Sequence, residues 1–242
     1  MAIKYFCLHA HFYQPPRENP WLNMVENQPS AFPYHDWNER ITAECYYPNC
    51  FGRIYEGAAV VKMLNNYAYM NFNFGPTLLV WLERHNPLVY EKILEADRIS
   101  MELFNNCGGA IAQVYNHIIM PLAARRDKII QIEWGIRDFE HRFKRCPEGM
   151  WLAETAVDYE TLEILAANNI KFTILSPYQA KSVFENNKWI NTSNGTVDVT
   201  IPYKIQLPNN REITVIFYDG NLSKSVAFEN LLENSDNLMS AI

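Results

Sequence analysis

The chain has no apolar run of membrane-spanning length. Its opening, MAIKYFCLHAHFYQPP, lacks the charged n-region, long apolar stretch and small-residue cleavage site of a secretory leader. Basic charge is also scarce: 21 Lys and Arg against 27 Asp and Glu leave a net charge of −6. Nucleic acid and anionic membranes both require clustered cations, so neither is expected as a partner. The five cysteines (Cys7, Cys45, Cys50, Cys107 and Cys146) are odd in number and include no CxxC pair. Reduced thiols and a cytoplasmic location are expected from that pattern rather than a disulfide framework. The sequons beginning at Asn191, Asn194 and Asn221 then have no chemical consequence. No GxGxxG follows the first apolar run, which argues against a dinucleotide-binding fold. No internal repeat or Gly/Ser linker divides the 242 residues, so one domain over residues 1–242 is expected. With 48% hydrophobic residues the chain can bury a sizeable core, which excludes disorder as its main description.

What is present is an alternation of short β-branched or aromatic runs with longer stretches of helical period. Seven runs read as strands: Ile3–Leu8, Met70–Phe74, Ala110–Val114, Gly149–Leu152, Lys171–Leu175, Val199–Gln206 and Ile213–Tyr218. Between them, Val89, Ile93, Ala96 and Leu103 recur at helical spacing, as do Ile132, Ile136, Phe139 and Phe143, and Leu162, Leu165 and Ala166. Asp158 suits a helix start and Asn168-Asn169 a helix end. Two stretches break the rhythm: a Pro-, Asn- and aromatic-rich loop from Phe12 to about Cys50, and a hairpin with Asn209-Asn210 at its turn. The expected fold is α/β, an incomplete (β/α)7 barrel of parallel strands resembling a TIM barrel. In barrels, function gathers on loops at the carboxyl ends of strands, and His9, His11, Gln14, Glu83, Asn116, His117, Glu154 and Asp219 each follow a run by a few positions.

The chemistry open to these residues is limited. His9 and His11, two apart as the first strand ends, face the same way. They suit metal ligation with a third ligand such as Asp36, His117 or Asp219, hydrogen bonding to sugar hydroxyls, or a purely structural role. Glu154 closes the strand ending in Trp151, and Asp219 closes the seventh strand, although Asp219-Gly220 also fits a helix cap. Two carboxylates at the same ends of strands four and seven can flank a common bond, and with Trp, Tyr and His around them the pattern suggests glycoside chemistry. Trp21, Trp37, Trp81 and Trp151 lie near loop ends where sugar rings stack, whereas Trp134 reads as helix packing and Trp189 as hairpin cover.

The segments HAHFYQPPRENPW, HDWNERI, NFGPTLLVWLE, AQVYNHIIMPLA, GMWLAETAVD and FYDG, in this order and spread over nearly the whole chain, resemble glycoside hydrolase family 57, particularly its α-amylase-like members. The resemblance implies an incomplete (β/α)7 barrel acting on α-glucans with retention, as hydrolase or transglycosylase, with no metal or organic cofactor. It places the nucleophile at Glu154 and the general acid/base at Asp219. His9, His11 and Gln14 match the first motif and would line the subsite at the cleaved bond. Trp37, Glu83, His117 and Trp151 complete the expected substrate-binding set, with His117 at a position where some relatives carry Glu. Family members continue past this chain's end into a helical region, so a catalytic core is expected here. The alternatives are a metal-dependent carbohydrate deacetylase or mannosidase using His9 and His11, and a non-catalytic glucan-binding module.

Overall fold

The computed structural model of the chain describes residues 5–242. They form two compact units, the first comprising the chain up to Ile118 with Ile129–Pro147, the second Ile119–Lys128 with Glu148–Ile242.

The first unit contains β1 (His9–Phe12), β2 (Glu18–Asn19), β3 (Met24–Val25), α1 (Trp37–Ile41), α2 (Tyr47–Cys50), β4 (Gly52–Glu56), β5 (Ala59–Leu64), β6 (Asn71–Phe74), α3 (Pro76–His85), α4 (Pro87–Leu103), β7 (Ala112–Gln113) and most of α5 (Arg125–Phe143). β1 and β6 run parallel, with His9 opposite Asn71 and Phe12 opposite Phe74, and Phe72 bridges in parallel to Ala110. Pro76 and Pro87 open their helices where a missing N–H costs nothing, and Asn86 caps α4 by accepting from the Val89 N–H. The period-matched Val89, Ile93 and Ala96 are buried as expected, while Leu103 is exposed. Each fully buried aliphatic side chain contributes about 1.5–3 kcal/mol. Fully buried Asp97 ties down the approach to β7: it takes a two-pronged ion pair from Arg145 at 2.8 Å and accepts the Ala110 N–H.

Three expectations change in this unit. The first strand begins at His9, not Ile3; Ile3 and Lys4 lie outside the described residues, and Tyr5, Phe6 and Leu8 are exposed, with no apolar face to bury them. The Phe12–Cys50 segment is no plain loop: α1 runs through a π-helical turn, Thr42–Tyr46, into α2, and Asp36 caps α1 by accepting from the Asn38 and Glu39 N–H groups. Trp134 is half exposed on α5, its ring meeting Tyr115 edge-on.

The second unit contains β8 (Met150–Trp151), α6 (Tyr159–Ala167), β9 (Phe172–Leu175), β10 (Ser182–Glu185), β11 (Lys188–Asn191), β12 (Tyr203–Leu207), β13 (Arg211–Phe217), α7 (Gly220–Phe228) and α8 (Ser235–Ala241). Gly149, leading into β8, bridges in parallel to Phe172, and Phe172 pairs in parallel with Thr214, so β8, β9 and β13 lie side by side with their carboxyl ends together. Thr173 Oγ1 donates to the Met150 carbonyl at 2.8 Å, and Leu152, Leu165 and Val215 fill the core. The sixth expected strand, here β12, is antiparallel to β13, which corrects the all-parallel reading: Asn209 and Asn210, both left-handed, close a hairpin too short for a parallel crossover. As the sequence suggests, Asp158 caps α6 and left-handed Asn169 follows its end.

Candidate active site

In the first unit, β1 points His9 and His11 the same way, onto one buried amide. Asn73, on β6, engages all its polar groups: Oδ1 accepts from His9 Nε2 (3.2 Å), while Nδ2 donates to His11 Nδ1 (2.8 Å) and to Gln113 Oε1 (2.7 Å). This pattern assigns His11 the Nε2–H tautomer, and that nitrogen lies 3.1 Å from His117 Nε2. The Tyr13 ring stacks on His117 with centroids 3.8 Å apart. Gly75 makes room for this packing, since a Cβ there would come within 3.0 Å of the Tyr13 ring. His117 adopts a left-handed backbone (φ 54°), and Gln131 holds its loop by accepting the Asn116 N–H at 2.7 Å. Burial pushes His9 and His11 down to about 4, with the neighbouring His117 adding to the effect on His11. Both rings are therefore neutral near pH 7, able to offer or accept hydrogen bonds without carrying charge.

The carboxylates Glu154 and Asp219 belong to the second unit. Gly149, Phe172 and Thr214 stand in register across β8, β9 and β13. Glu154 stands three residues past the end of β8, in a short helical turn, and Asp219 two residues past the end of β13, so both carboxylates follow the carboxyl ends of the strands on either side of β9. Both residues are exposed. Glu154 has φ 55° and ψ 21°, and Thr155 follows with φ 53°. Two consecutive left-handed residues are rare, and for β-branched Thr155 the conformation is an outlier. Among the described residues, thirteen non-glycines have positive φ and nine of them are Asn, the type that tolerates it best; the exceptions are Lys144, His117, Glu154 and Thr155. Lys144 is an ordinary helix end, its N–H bonded back to the Glu140 carbonyl. The other three coincide with sequence-predicted site positions or the residue beside one, where strain is characteristically stored. Asp219 caps α7 by accepting the Leu222 N–H at 2.9 Å, so the capping reading is borne out. Beyond Glu154, the chain is anchored by Lys128, which reaches Asp158 at 2.5 Å and Glu160 at 2.9 Å.

The remaining predicted residues are dispersed. Gln14 accepts from Arg17 (2.7 Å) and approaches the Tyr46 hydroxyl at 3.5 Å. Trp37 opens α1, its indole N–H donating to Ser30 Oγ and its ring lying under Arg40. Trp151 ends β8, partly buried. Glu83 is corrected in placement: it sits seven residues into α3, about 10 Å along the helix from its start at Pro76, and pairs with Arg142 (3.2 Å), not at a strand end. Trp81 is buried in α3, whereas Trp21 and Trp189 are exposed on hairpins. Among the described residues, the cluster with metal-ligating atoms within 4.8 Å of one another is His35, Asp36 and Glu39, whose carboxylates are engaged in starting α1. Asn73 and Gln113 were missed from sequence as site residues. Each is an uncharged polar residue within a run read as a strand, NFNF and AIAQV, and nothing local in either run tells which atoms it joins.

Comparison with known proteins adds four findings. Over 107 residues the chain is 29% identical to Alpha-amylase 1 of Dictyoglomus thermophilum, covering 44% of this chain and 15% of that protein. The 4-alpha-glucanotransferase of Thermococcus litoralis superposes over 96% of this chain and 31% of its own, with a TM-score of 0.59 and 17% identity. The exo-type maltose-forming amylase of Pyrococcus sp. ST04 does so over 93% and 36%, with a TM-score of 0.60 and 15% identity. The chain therefore spans about a third or less of these relatives, and at such identities the structural likeness is one of fold. Residues 108–241 match the sequence profile of glycosyl hydrolase family 57. With that profile matched over more than half of its length, the chain belongs to glycosyl hydrolase family 57.

Proposed function

We propose that this chain carries the catalytic carboxylates of a retaining enzyme acting on α-glucans, as hydrolase or transglycosylase, with Glu154 as nucleophile and Asp219 as general acid/base. The observation that carries this reading is that the two carboxylates follow the carboxyl ends of β8 and β13, the strands on either side of β9. A retaining pair requires its carboxyl groups to stand roughly 5–5.5 Å apart. In the first step Asp219 gives its proton to the glycosidic oxygen, the bond to the anomeric carbon breaks, and the Glu154 carboxylate bonds to that carbon. In the second, the Asp219 carboxylate takes a proton from water or from an acceptor sugar hydroxyl, whose oxygen attacks the same carbon and releases Glu154. Configuration is retained because it is inverted twice.

The activities in the names of the Thermococcus and Pyrococcus relatives support an α-glucan substrate, and the likeness of fold supports an incomplete (β/α)7 barrel as the architecture. His9, His11 and His117 are assigned to sugar hydroxyls as neutral hydrogen-bonding groups, with Gln14, Trp37 and Trp151 as further substrate contacts; Glu83, committed to Arg142, receives no role. The metal reading for His9 and His11 lacks support, since the Nδ1 of His11 is used by Asn73 and its Nε2 by His117. A cytoplasmic location is part of the same proposal, drawn from the odd number and scatter of the cysteines in the sequence.

The test is turnover of maltoheptaose. The wild-type chain should give products of retained anomeric configuration, and Glu154→Ala should lower kcat by about 10⁴-fold or more while leaving sugar binding in place. Added azide should then yield a glycosyl azide of inverted configuration. No turnover by the wild type, or unchanged turnover in Glu154→Ala, would leave a binding module and end the enzymatic reading.

A further inference from the structure

We propose that Gln179 is a positioning residue for Glu154, bracing the nucleophile's loop against the turn that separates it from Asp219. The inference rests on the assignment of Glu154 and Asp219 above and deepens it.

The turn after β9, Pro177–Gln179, occupies the middle of the three-strand register, between the loop after β8 and the loop after β13. It is bonded on one side and lies near the other. Toward Asp219, the Pro177 ring lies 3.8 Å from where a Cβ on Gly220 would stand. Toward Glu154, Gln179 Nε2 donates to the Thr155 carbonyl. The other end of the same amide, Oε1, accepts the Ser176 N–H at 2.8 Å, completing a capping box whose other half is the Ser176 hydroxyl accepting the Tyr178 N–H. One side-chain amide thus links two backbones, its oxygen fixed to its own turn and its nitrogen to the neighbouring loop.

The loop it reaches needs such a brace. Glu154 and Thr155 are both left-handed, a conformation that L-residues adopt at a cost and keep only where surroundings over-determine it. The loop's own bonds, Thr155 N–H to Leu152 O (2.9 Å) and Ala156 N–H to Ala153 O (3.0 Å), set its curvature. They run within the loop and do not fix it against the rest of the unit. Gln179 supplies that external tie, at the residue next to the nucleophile. Since a misplacement of about 1 Å costs on the order of 10²-fold in rate, loss of the tie should appear in kcat before it appears in substrate affinity.

The test compares Gln179→Met, which removes both hydrogen bonds, and Gln179→Glu, which keeps the acceptor for Ser176 but, ionised, cannot donate to Thr155. Both are assayed beside Glu154→Ala for kcat and KM on maltoheptaose and for thermal midpoint. Both Gln179 variants should lose about 10- to 100-fold in kcat, with KM within about twofold of wild type and little change in melting. If only Gln179→Met is impaired, the residue acts as a turn cap and the inference fails. It also fails if kcat and KM fall with the melting point, or if both variants match wild type while Glu154→Ala is inactive. If Gln179→Met does not fold, Gln179→Glu, with the capping box intact, decides the question alone. Retained activity in Glu154→Ala instead overturns the assignment of the nucleophile.

Discussion

The two units hold their polar groups in opposite ways. In the first, side chains are fixed by burial: Asn73 is 1% exposed and pairs its oxygen and both amide hydrogens, where each buried group left unpaired would forfeit about 1–3 kcal/mol, while Gln113, 3% exposed, pairs its Oε1 with Asn73 and leaves its Nε2 without a partner. The resulting chain of bonds from Gln113 through Asn73 to His11 leaves little choice of rotamer or tautomer. In the second, Glu154 and Asp219 are exposed, and what is constrained is the backbone beneath them: a left-handed pair at 154 and 155, a helix cap at 219, and the Gln179 brace. A buried neutral cluster can be perturbed by protons and by side-chain polarity. An exposed carboxylate on a strained loop is perturbed by changes in backbone freedom. The contrast gives each region its own vulnerability.

The largest effect is expected at Asp219, where two roles can be separated. Asn accepts a hydrogen bond at a helix N-cap about as well as Asp does. Asp219→Asn should therefore keep the bond from the Leu222 N–H and the stability of α7 while losing acid/base function, with kcat down by about 10²- to 10⁴-fold. Asp219→Ala should match that loss and in addition give up about 1 kcal/mol of capping, seen as a melting point about 2–4 °C lower. An Asn variant with near-normal turnover would reduce Asp219 to a cap.

The buried cluster should respond to pH. His9 and His11 titrate near 4 in the folded chain and near 6.5 when unfolded. Between those values the unfolded state binds more protons, so the contribution of these rings is constant above about pH 6.5 and falls as pH drops toward 4, by on the order of 3 kcal/mol for each ring. Thermal melting across that window checks the sign. Asn73→Asp should reverse it: a carboxylate facing both rings favours imidazolium, so melting should rise as pH falls from 8 to about 6. At pH 8 the variant should be less stable than wild type by about 2–4 kcal/mol, because an unpaired buried charge then faces Gln113 Oε1. A variant whose melting follows the wild-type profile would show that Asn73 does not set the state of the histidines.

These differences explain what could be read from the sequence. Strands β9 and β13 and helices α4 and α6 were legible because each buries one periodic apolar face, and caps or turns such as Asp158 and Asn209-Asn210 mark where α6 and β13 begin. β1 was misplaced because Ile3–Leu8 is apolar enough to resemble a strand, while the segment that pairs with β6 is HAHF, half of it imidazole. Glu83 was read as following the run Met70–Phe74, but it lies nine positions beyond Phe74, and most of the residues between them form α3. The position of Glu154 and Asp219 just past strand ends was legible because short apolar runs, here β8 and β13, precede them. Asn73 and Gln179 were not legible, since their importance lies in which atoms they join across about 60 and 24 residues of chain, a tertiary relation without a local pattern.

The smallest effect concerns Thr155 and tests the backbone side of the contrast directly. At ordinary helical positions Ala is more stable than Gly by roughly 0.5–1 kcal/mol, because Gly loses more freedom on folding. At a left-handed position the order inverts: any Cβ clashes with the following carbonyl at a cost of roughly 1–2 kcal/mol, which glycine escapes. Thr155→Gly should therefore be more stable than Thr155→Ala by up to about 1 kcal/mol, although both lose the same buried hydroxyl and methyl. Buried Thr161, on the regular turns of α6, serves as the internal control; there the Gly variant should be the weaker of the two. Denaturant midpoints of the four variants decide the matter. If Thr155 follows the same order as Thr161, the loop beneath Glu154 is not held in a left-handed conformation in solution, and the constraint attributed to Gln179 has nothing to hold.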